Sequence, residues 1–159
     1  MIKAISLWQP WATLIALGIK EYETRSWHTS YRGPLAILST KTMSPECRGH
    51  ARFLMNTSTK VRQALHNAGI HEPCDFPNGY VLAVTRLAEV YTTDQIRDDV
   101  SMLERYVGDF GSGRYAWQAV DTVVLSSPRR ARGGQRLFNI DVSEFFDIER
   151  WKEVEHVSA

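Results

Sequence analysis

The chain has 159 residues, 43% of them hydrophobic and 23% charged, with 19 Lys and Arg against 18 Asp and Glu, a net charge of +1. These values suit one soluble globular domain able to build a core without staples, and they exclude disordered and fibrous classes. No apolar run approaches the roughly 18 residues of a membrane span, and the opening MIKAISLWQPW lacks the apolar region of a signal peptide, so the expectation is a cytoplasmic protein with no membrane partner.

The even charge conceals a pattern. Residues 1–75 hold 9 basic and 5 acidic side chains, 76–110 hold 3 and 6, 111–140 hold 5 and 1, and 141–159 hold 2 and 6. Two basic segments are thus masked by two acidic ones. If the basic segments meet in space they form a patch that attracts phosphates; otherwise they are a mosaic of solvated faces.

In chain order, ISLW is a short strand and QPWATLIALG a helix of about two turns, with Pro10 suited to the first helical position and Gly18 to a left-handed cap. GIKEYETRSWHTSYRGP comes next. Its alternation puts Glu21, Glu23, Arg25 and Trp27 on one strand face and Tyr22, Thr24 and Ser26 on the other. Such a mixture of charges and rings is buried only when paired or turned toward a cleft, which makes this stretch the first candidate for a site.

LAILST is a buried strand. Ser44 before Pro45 starts a helix that breaks near NTST, where Thr57 or Ser58 caps a second segment ending before Gly69. After a loop, YVLAVTRLAEV is the clearest strand. TTDQIRDDVSMLERYVG is expected as one polar helix with the stripe Ile96, Val100 and Leu103. RYAWQAVDTVVLSS is another strand, PRRARGGQ a basic flexible loop, and RLFNI a last strand. SEFFDIERWKEVEHV is an acidic amphipathic helix on Phe145, Ile148, Trp151 and Val154, available to a protein partner. Non-adjacent strands with inserted helices lack the βαβ rhythm of a parallel sheet, so the expected class is α+β, a small, partly open mixed β-barrel decorated with helices.

Phosphate loops, dinucleotide fingerprints, zinc-protease motifs and nucleophile elbows are absent, and no cofactor is expected. One metal pattern has the right spacing. Cys47 and His50 in CRGH, with His71 and Cys74 in HEPC, match a Cys2His2 arrangement, although two such pairs arise readily by chance and the cysteines are otherwise plain thiols. Among the aromatic residues, Trp8, Trp11 and Trp117 suit a core. Trp27, Tyr31 and Tyr115 each stand near an arginine (Arg25, Arg32, Arg114), and alternating guanidinium groups with rings serves single-stranded RNA recognition.

The first block resembles a known family. QPWA at residues 9–12, then Gly18, Lys20, Glu23 and Arg25 in a G-x-K-x-x-E-x-R arrangement, then Trp27 and YRG at 31–33, resemble the ASCH family, the activating-signal-cointegrator homology domains. FPNGYVLAVTRLAEV, GRYAWQ and RGGQRLFNI resemble its later strands, and the similarity covers roughly residues 3–141. The resemblance implies a PUA-like barrel over residues 1–142 and a cleft with Lys20, Glu23 and Arg25 at its mouth; the acidic helix lies outside it, as an extension over 143–159. It also implies association with RNA or another nucleic acid. One bacterial branch of the family deacetylates acetylated cytidine and another cleaves RNA. The deacetylating branch uses K-x-x-T, whereas Glu23 stands here at the Thr position and Thr24 is one residue out of register, so that activity is not carried over. Leu38 replaces a His common among close relatives, although Lys41 is kept.

The expected nucleic-acid contacts are therefore Lys20, Arg25, Trp27, Tyr31, Arg32, Lys41, Arg114 and Tyr115. Should the chain be a hydrolase acting on RNA or on a modified nucleoside, Lys20 would serve as base or nucleophile and Glu23 as proton shuttle.

Overall fold

The computed structural model describes residues 1–157. Strands β1 (Ile2–Leu7), β2 (Tyr22–Arg25), β3 (Gly33–Ser39), β4 (Tyr80–Thr92), β5 (Tyr115–Arg130) and β6 (Phe138–Ile140) form one mixed sheet in the order β2-β5-β4-β3-β1-β6. Only the β1/β3 pair is parallel. Three register shifts in the long β4/β5 pair, between Val81 and Ala83, Val84 and Arg86, and Leu87 and Glu89, add twist and curl the sheet toward a barrel. β2 and β6 remain as edges, so the barrel is partly open, as expected for this α+β fold.

Both faces of the central strands are covered, which explains the unbroken apolar run in β3. Leu35 and Ile37 enter a cluster with Ile5, Leu7, Ile15 and Trp117, while Ala36 and Leu38 face another with Ile2, Ala4, Val84 and Val142. Helices α1 (Trp11–Ala16), α2 (Pro45–Thr57) and α3 (Thr59–Asn67) contribute a third cluster through Leu14, Leu54, Val61 and Leu65. Ser44 Oγ accepts from Cys47 N at 3.1 Å and Ser58 Oγ from Val61 N at 3.3 Å, so both serines cap as their positions predict. Gly18 takes φ of +73°, the left-handed conformation expected beyond α1, and Gly69, before which the second helix is expected to end, takes +80°.

Three expectations need correction. The single helix expected over residues 92–108 is two, α4 (Thr93–Ile96) and α5 (Met102–Val107). Ser101 caps the second by accepting from Glu104 N at 3.0 Å. The apolar stripe also divides, because Ile96 and Val100 pack with Phe110 and Ala116 whereas Leu103 packs against the α2 cluster. β5 runs on through Arg130, so the basic loop is shorter than expected. The last helix, α6 (Ile148–Val157), starts later than expected, after a turn in which Phe145 N and Phe146 N donate to Val142 O at 3.0 and 2.8 Å.

Trp151 on α6 is buried and its Nε1 donates to Asp121 O at 3.3 Å, while Val154 is exposed. Residues 158–159 of the expected extension lie outside the described residues. Among the described residues no helix is long and apolar enough to cross a membrane.

Candidate functional site

The first turn of the site is built by QPWA. Gln9 is fully buried, its Nε2 donating to Pro77 O at 2.8 Å and its Oε1 accepting from Thr13 N at 3.0 Å, which pins the start of α1. At the other end, Gly18 lets the chain reverse so that Ile19 N and Lys20 N both donate to Leu14 O at 3.0 Å. That reversal turns the Lys20 side chain inward.

Lys20 is 2% exposed, and a buried ammonium persists only with close partners. Its Nζ donates to Tyr22 O and lies 3.6 Å from Glu23 Oε2. Glu23 Oε1 lies 3.6 Å from Arg25 Nη1, so one carboxylate joins two cations. Glu23 stands opposite Trp117 across the β2/β5 register.

A second carboxylate fixes the start of β2. Glu104 of α5 is buried, and its two oxygens accept from Glu21 N at 3.0 Å and Tyr22 N at 2.9 Å. Burial raises its pKa above the ordinary value, while the two N–H donors and the charge of Lys20 oppose that rise. On the other face of β2, Thr24 Oγ1 accepts from Asp109 N at 3.1 Å and Thr24 O accepts from Arg114 Nη2 at 3.1 Å. Arg114 also ion-pairs with Asp109 at 3.3 Å.

These groups line a cleft of about 480 Å³, within the range of small-ligand sites. Its charged groups are Lys20, Glu23, Asp109 and Arg114, and its rings are Trp11, His50, Phe53 and Tyr106. Trp11 Nε1 donates to Val107 O at 3.0 Å, which holds the indole in the wall. Phe53 and Tyr106, with ring centroids 6.0 Å apart, are exposed large side chains on α2 and α5.

Of the residues expected to contact nucleic acid, the cleft brings together Lys20 and Arg114, with Arg25 one ion pair away through Glu23. The others are placed differently. Tyr31 packs on the barrel core and its hydroxyl donates to Pro34 O at 2.5 Å. Arg32 pairs with Glu89 of β4 at 2.7 Å and donates to the carbonyls of Thr29 and Tyr31. Tyr115 meets His28 edge-on at 5.4 Å, Trp27 meets buried Trp117 edge-on at 4.6 Å, and Lys41 is exposed beside Gly79 at the far end of β3. Trp8, expected in the core, is 48% exposed.

The four candidate zinc ligands are not assembled. Cys47 is buried in the α2 cluster, His50 tilts against Trp11 with centroids 5.5 Å apart, His71 faces His66, and Cys74 is exposed beside Glu72 and Asp75. Among the described residues there is no group of three or more His, Cys, Asp or Glu able to hold a metal.

Sequence reasoning missed Phe53, Tyr106, Asp109 and Glu104. Only Glu104 left a signal, since Ser101-x-x-Glu104 has the spacing of a capping box. Its carboxylate nevertheless reaches β2 rather than its own helix end.

Comparison with known proteins places this geometry. Activating signal cointegrator 1 from Homo sapiens and from Mus musculus are each 32% identical to the chain over 95 residues, 59% of this chain. The match covers 15% of the length of each of those proteins. Among solved structures, the crystal structure of ASCH from Zymomonas mobilis has a TM-score of 0.54 at 13% identity, covering 96% of this chain and 93% of that one. A point variant of the Zymomonas mobilis protein has a TM-score of 0.50 at 14% identity, with 98% and 96% coverage. The ASCH domain profile matches residues 5–158, which takes in the cleft, every strand but the first residues of β1, and α6; the chain belongs to the ASCH domain family.

Proposed function

We propose that this chain is a nucleic-acid-binding ASCH module that seats a nucleotide, or a short single-stranded RNA segment, in the cleft beside β2. One observation carries the reading: the same cleft is lined by charged groups, Lys20, Glu23 and Arg114, and by the rings of Trp11, Phe53 and Tyr106. An unstacked base needs both kinds of surface, a π face to stack on and polar groups for its edge. Arg114 donates to a base carbonyl and Glu23 accepts from an exocyclic amine. Two cations and two carboxylates in the cleft suit a base better than a bare phosphate, and the exposed Phe53 is free of a structural duty in the core.

The test is titration of fluorescent single-stranded RNAs into wild-type protein and a Phe53→Ala/Arg114→Gln variant. Loss of roughly two bonding contacts, a stack and a charge-assisted hydrogen bond, weakens binding by about 100-fold. Unchanged affinity in a folded variant would reject the cleft as the binding site.

A second reading is favoured by the burial of Lys20 against Glu23 at that same cleft. A hydrolase acting on RNA or on a modified nucleoside would use Lys20 as base or nucleophile, with Glu23 moving the proton. Incubation with RNAs and acetylated cytidine, with and without divalent metal, followed by product analysis, separates the two. Product that is lost in Lys20→Met makes the chain an enzyme; binding without product leaves it a recognition module.

A further inference from the structure

Two guanidinium groups share one indole at the seam of the barrel. Arg25 Cζ lies 5.7 Å and Arg136 Cζ 4.3 Å from the centroid of Trp27, whose ring meets buried Trp117 edge-on. Trp27 lies just after the edge strand β2, and Arg136 shortly precedes the other edge strand, β6. The Trp27–Arg136 contact therefore spans the opening that the strand hydrogen bonds leave.

The backbone holds Arg136 there under strain. Its φ is +53°, a left-handed value that a side chain as bulky as arginine adopts only where the surroundings over-determine it. The surroundings do so, because the segment before it is seated directly on the sheet. A Cβ at position 133 would approach Ser6 Oγ to 2.7 Å, and one at position 134 would approach Phe138 Cγ to 2.7 Å, so only glycines allow this close path. At these two positions the segment expected as a loop runs close against side chains of β1 and β6.

The charge at the seam is incomplete. Arg25 shares Glu23 with Lys20, and Arg136 is exposed with neither a hydrogen bond nor an ion pair to any described residue. Stacking engages the face of a guanidinium and leaves its N–H edges for a planar-fork acceptor. The two ring distances, 5.7 and 4.3 Å from one centroid, keep the guanidinium carbons no more than about 10 Å apart, which gathers two positive charges at one place. Continuity with the cleft runs through Glu23, which touches both Lys20 and Arg25.

We propose that Arg25 and Arg136, gathered on Trp27, form a phosphate subsite that takes the backbone phosphodiester next to the nucleotide seated in the cleft. This rests on the nucleic-acid reading above, and the experiment keeps the two apart. Pyrophosphate alone is titrated into full-length protein while the Trp27 indole N–H resonance, assigned with Trp27→Phe, is followed by NMR. A single-stranded oligonucleotide and the matching nucleoside are then titrated at several salt concentrations.

Pyrophosphate is expected to shift the Trp27 resonance in wild type and in Arg132→Gln, which removes an equal charge from the same segment, but not in Arg136→Gln. Oligonucleotide affinity is expected to fall about fivefold to tenfold in Arg136→Gln, with the salt dependence reduced by about 0.7 for one lost phosphate contact. Nucleoside binding stays unchanged. Absence of a pyrophosphate response in wild type, equal losses in the two variants, or oligonucleotide affinity untouched by Arg136→Gln would each overturn the subsite. A retained, Arg136-dependent pyrophosphate response in a protein that binds no oligonucleotide supports the anion site and rejects the nucleic-acid reading instead.

Discussion

Replacing Glu104 tests how β2 and Lys20 are held. In Glu104→Ala, the amides of Glu21 and Tyr22 lose their acceptors at 3.0 and 2.9 Å. A buried donor left unsatisfied costs about 1–3 kcal/mol. Partial access of water at Glu21, which is exposed, moderates the sum to about 2–4 kcal/mol, or a fall in Tm of roughly 5–15 °C for a domain of this size. Calorimetry at neutral pH measures it. Glu104→Gln supplies the pH arm, because the variant keeps an acceptor and does not titrate. Burial raises the pKa of Glu104 in the folded protein above its ordinary 4.5. Between those two values the folded state binds the extra proton, so stability falls as pH rises through that window. The stability difference, wild type minus Glu104→Gln, should therefore decline as pH rises from about 4.5 and level off above the raised pKa. Glu89 and Asp94 act in the opposite sense, since Arg32 and Arg97 lower their pKa values, and they cancel in the difference. A loss under about 1 kcal/mol in Glu104→Ala, or a difference that grows with pH, would refute the account.

Three further substitutions separate site from scaffold. Lys20→Met leaves the Glu23 carboxylate, 16% exposed, with Arg25 as its remaining cation, and should cost about 2 kcal/mol in urea unfolding; adding Glu23→Gln should recover about 1 kcal/mol, and strictly additive losses would show that the two do not interact. Tyr31→Phe removes the bond to Pro34 O and should cost about 1 kcal/mol without changing RNA affinity. Weaker RNA binding at unchanged stability would return Tyr31 to the contact surface. Ser58→Ala should cost about 1 kcal/mol by uncapping α3, read as a Tm shift, and no shift would mean that Val61 N finds another acceptor.

The features legible in the sequence were mostly local. Ser44, Ser58, Gly18 and Gly69 act within a few residues of themselves, so their capping and turning roles could be read directly. The break between α4 and α5 could not, because Ile96, Val100 and Leu103 keep helical spacing while packing into two separate clusters. Spacing reports that a face is apolar and not which core it meets. Phe53 and Tyr106 escaped notice for a similar reason: each is an ordinary aromatic on its own helix, and only the packing of α2 near α5 turns the pair toward Lys20. Trp8 shows the reverse error, an aromatic beside a buried strand that nonetheless points outward.

The charge-rich stretch from Lys20 to Arg32 is explained by its partners. Arg32 lies in the turn before β3 and meets Glu89 of the adjacent strand, so its charge is spent in tying the turn to the sheet. Lys20, Glu23 and Arg25 pair with one another instead, and their local network borders a cleft. β2 is a short edge strand, four residues with one neighbour, and cannot hold the half-buried Glu23 and Arg25 in place by ladder hydrogen bonds alone. Rigidity has to come from outside the strand: Glu104 grips its start, Asp109 and Arg114 grip Thr24, and the Trp27 ring, packed on Trp117 and covered by Arg136, anchors the chain just beyond its end. Those anchors come from α5, the α5–β5 connection and the segment before β6, elements remote in sequence. A ligand that engages Arg114 and Arg136 therefore pulls on the same residues that fix β2, which couples occupancy of the cleft to the stability of this edge. Bound ligand should protect the β2 amides from hydrogen exchange more than those of β1, which is already paired on both sides. Equal protection of the two strands would mean that the ligand does not act through β2.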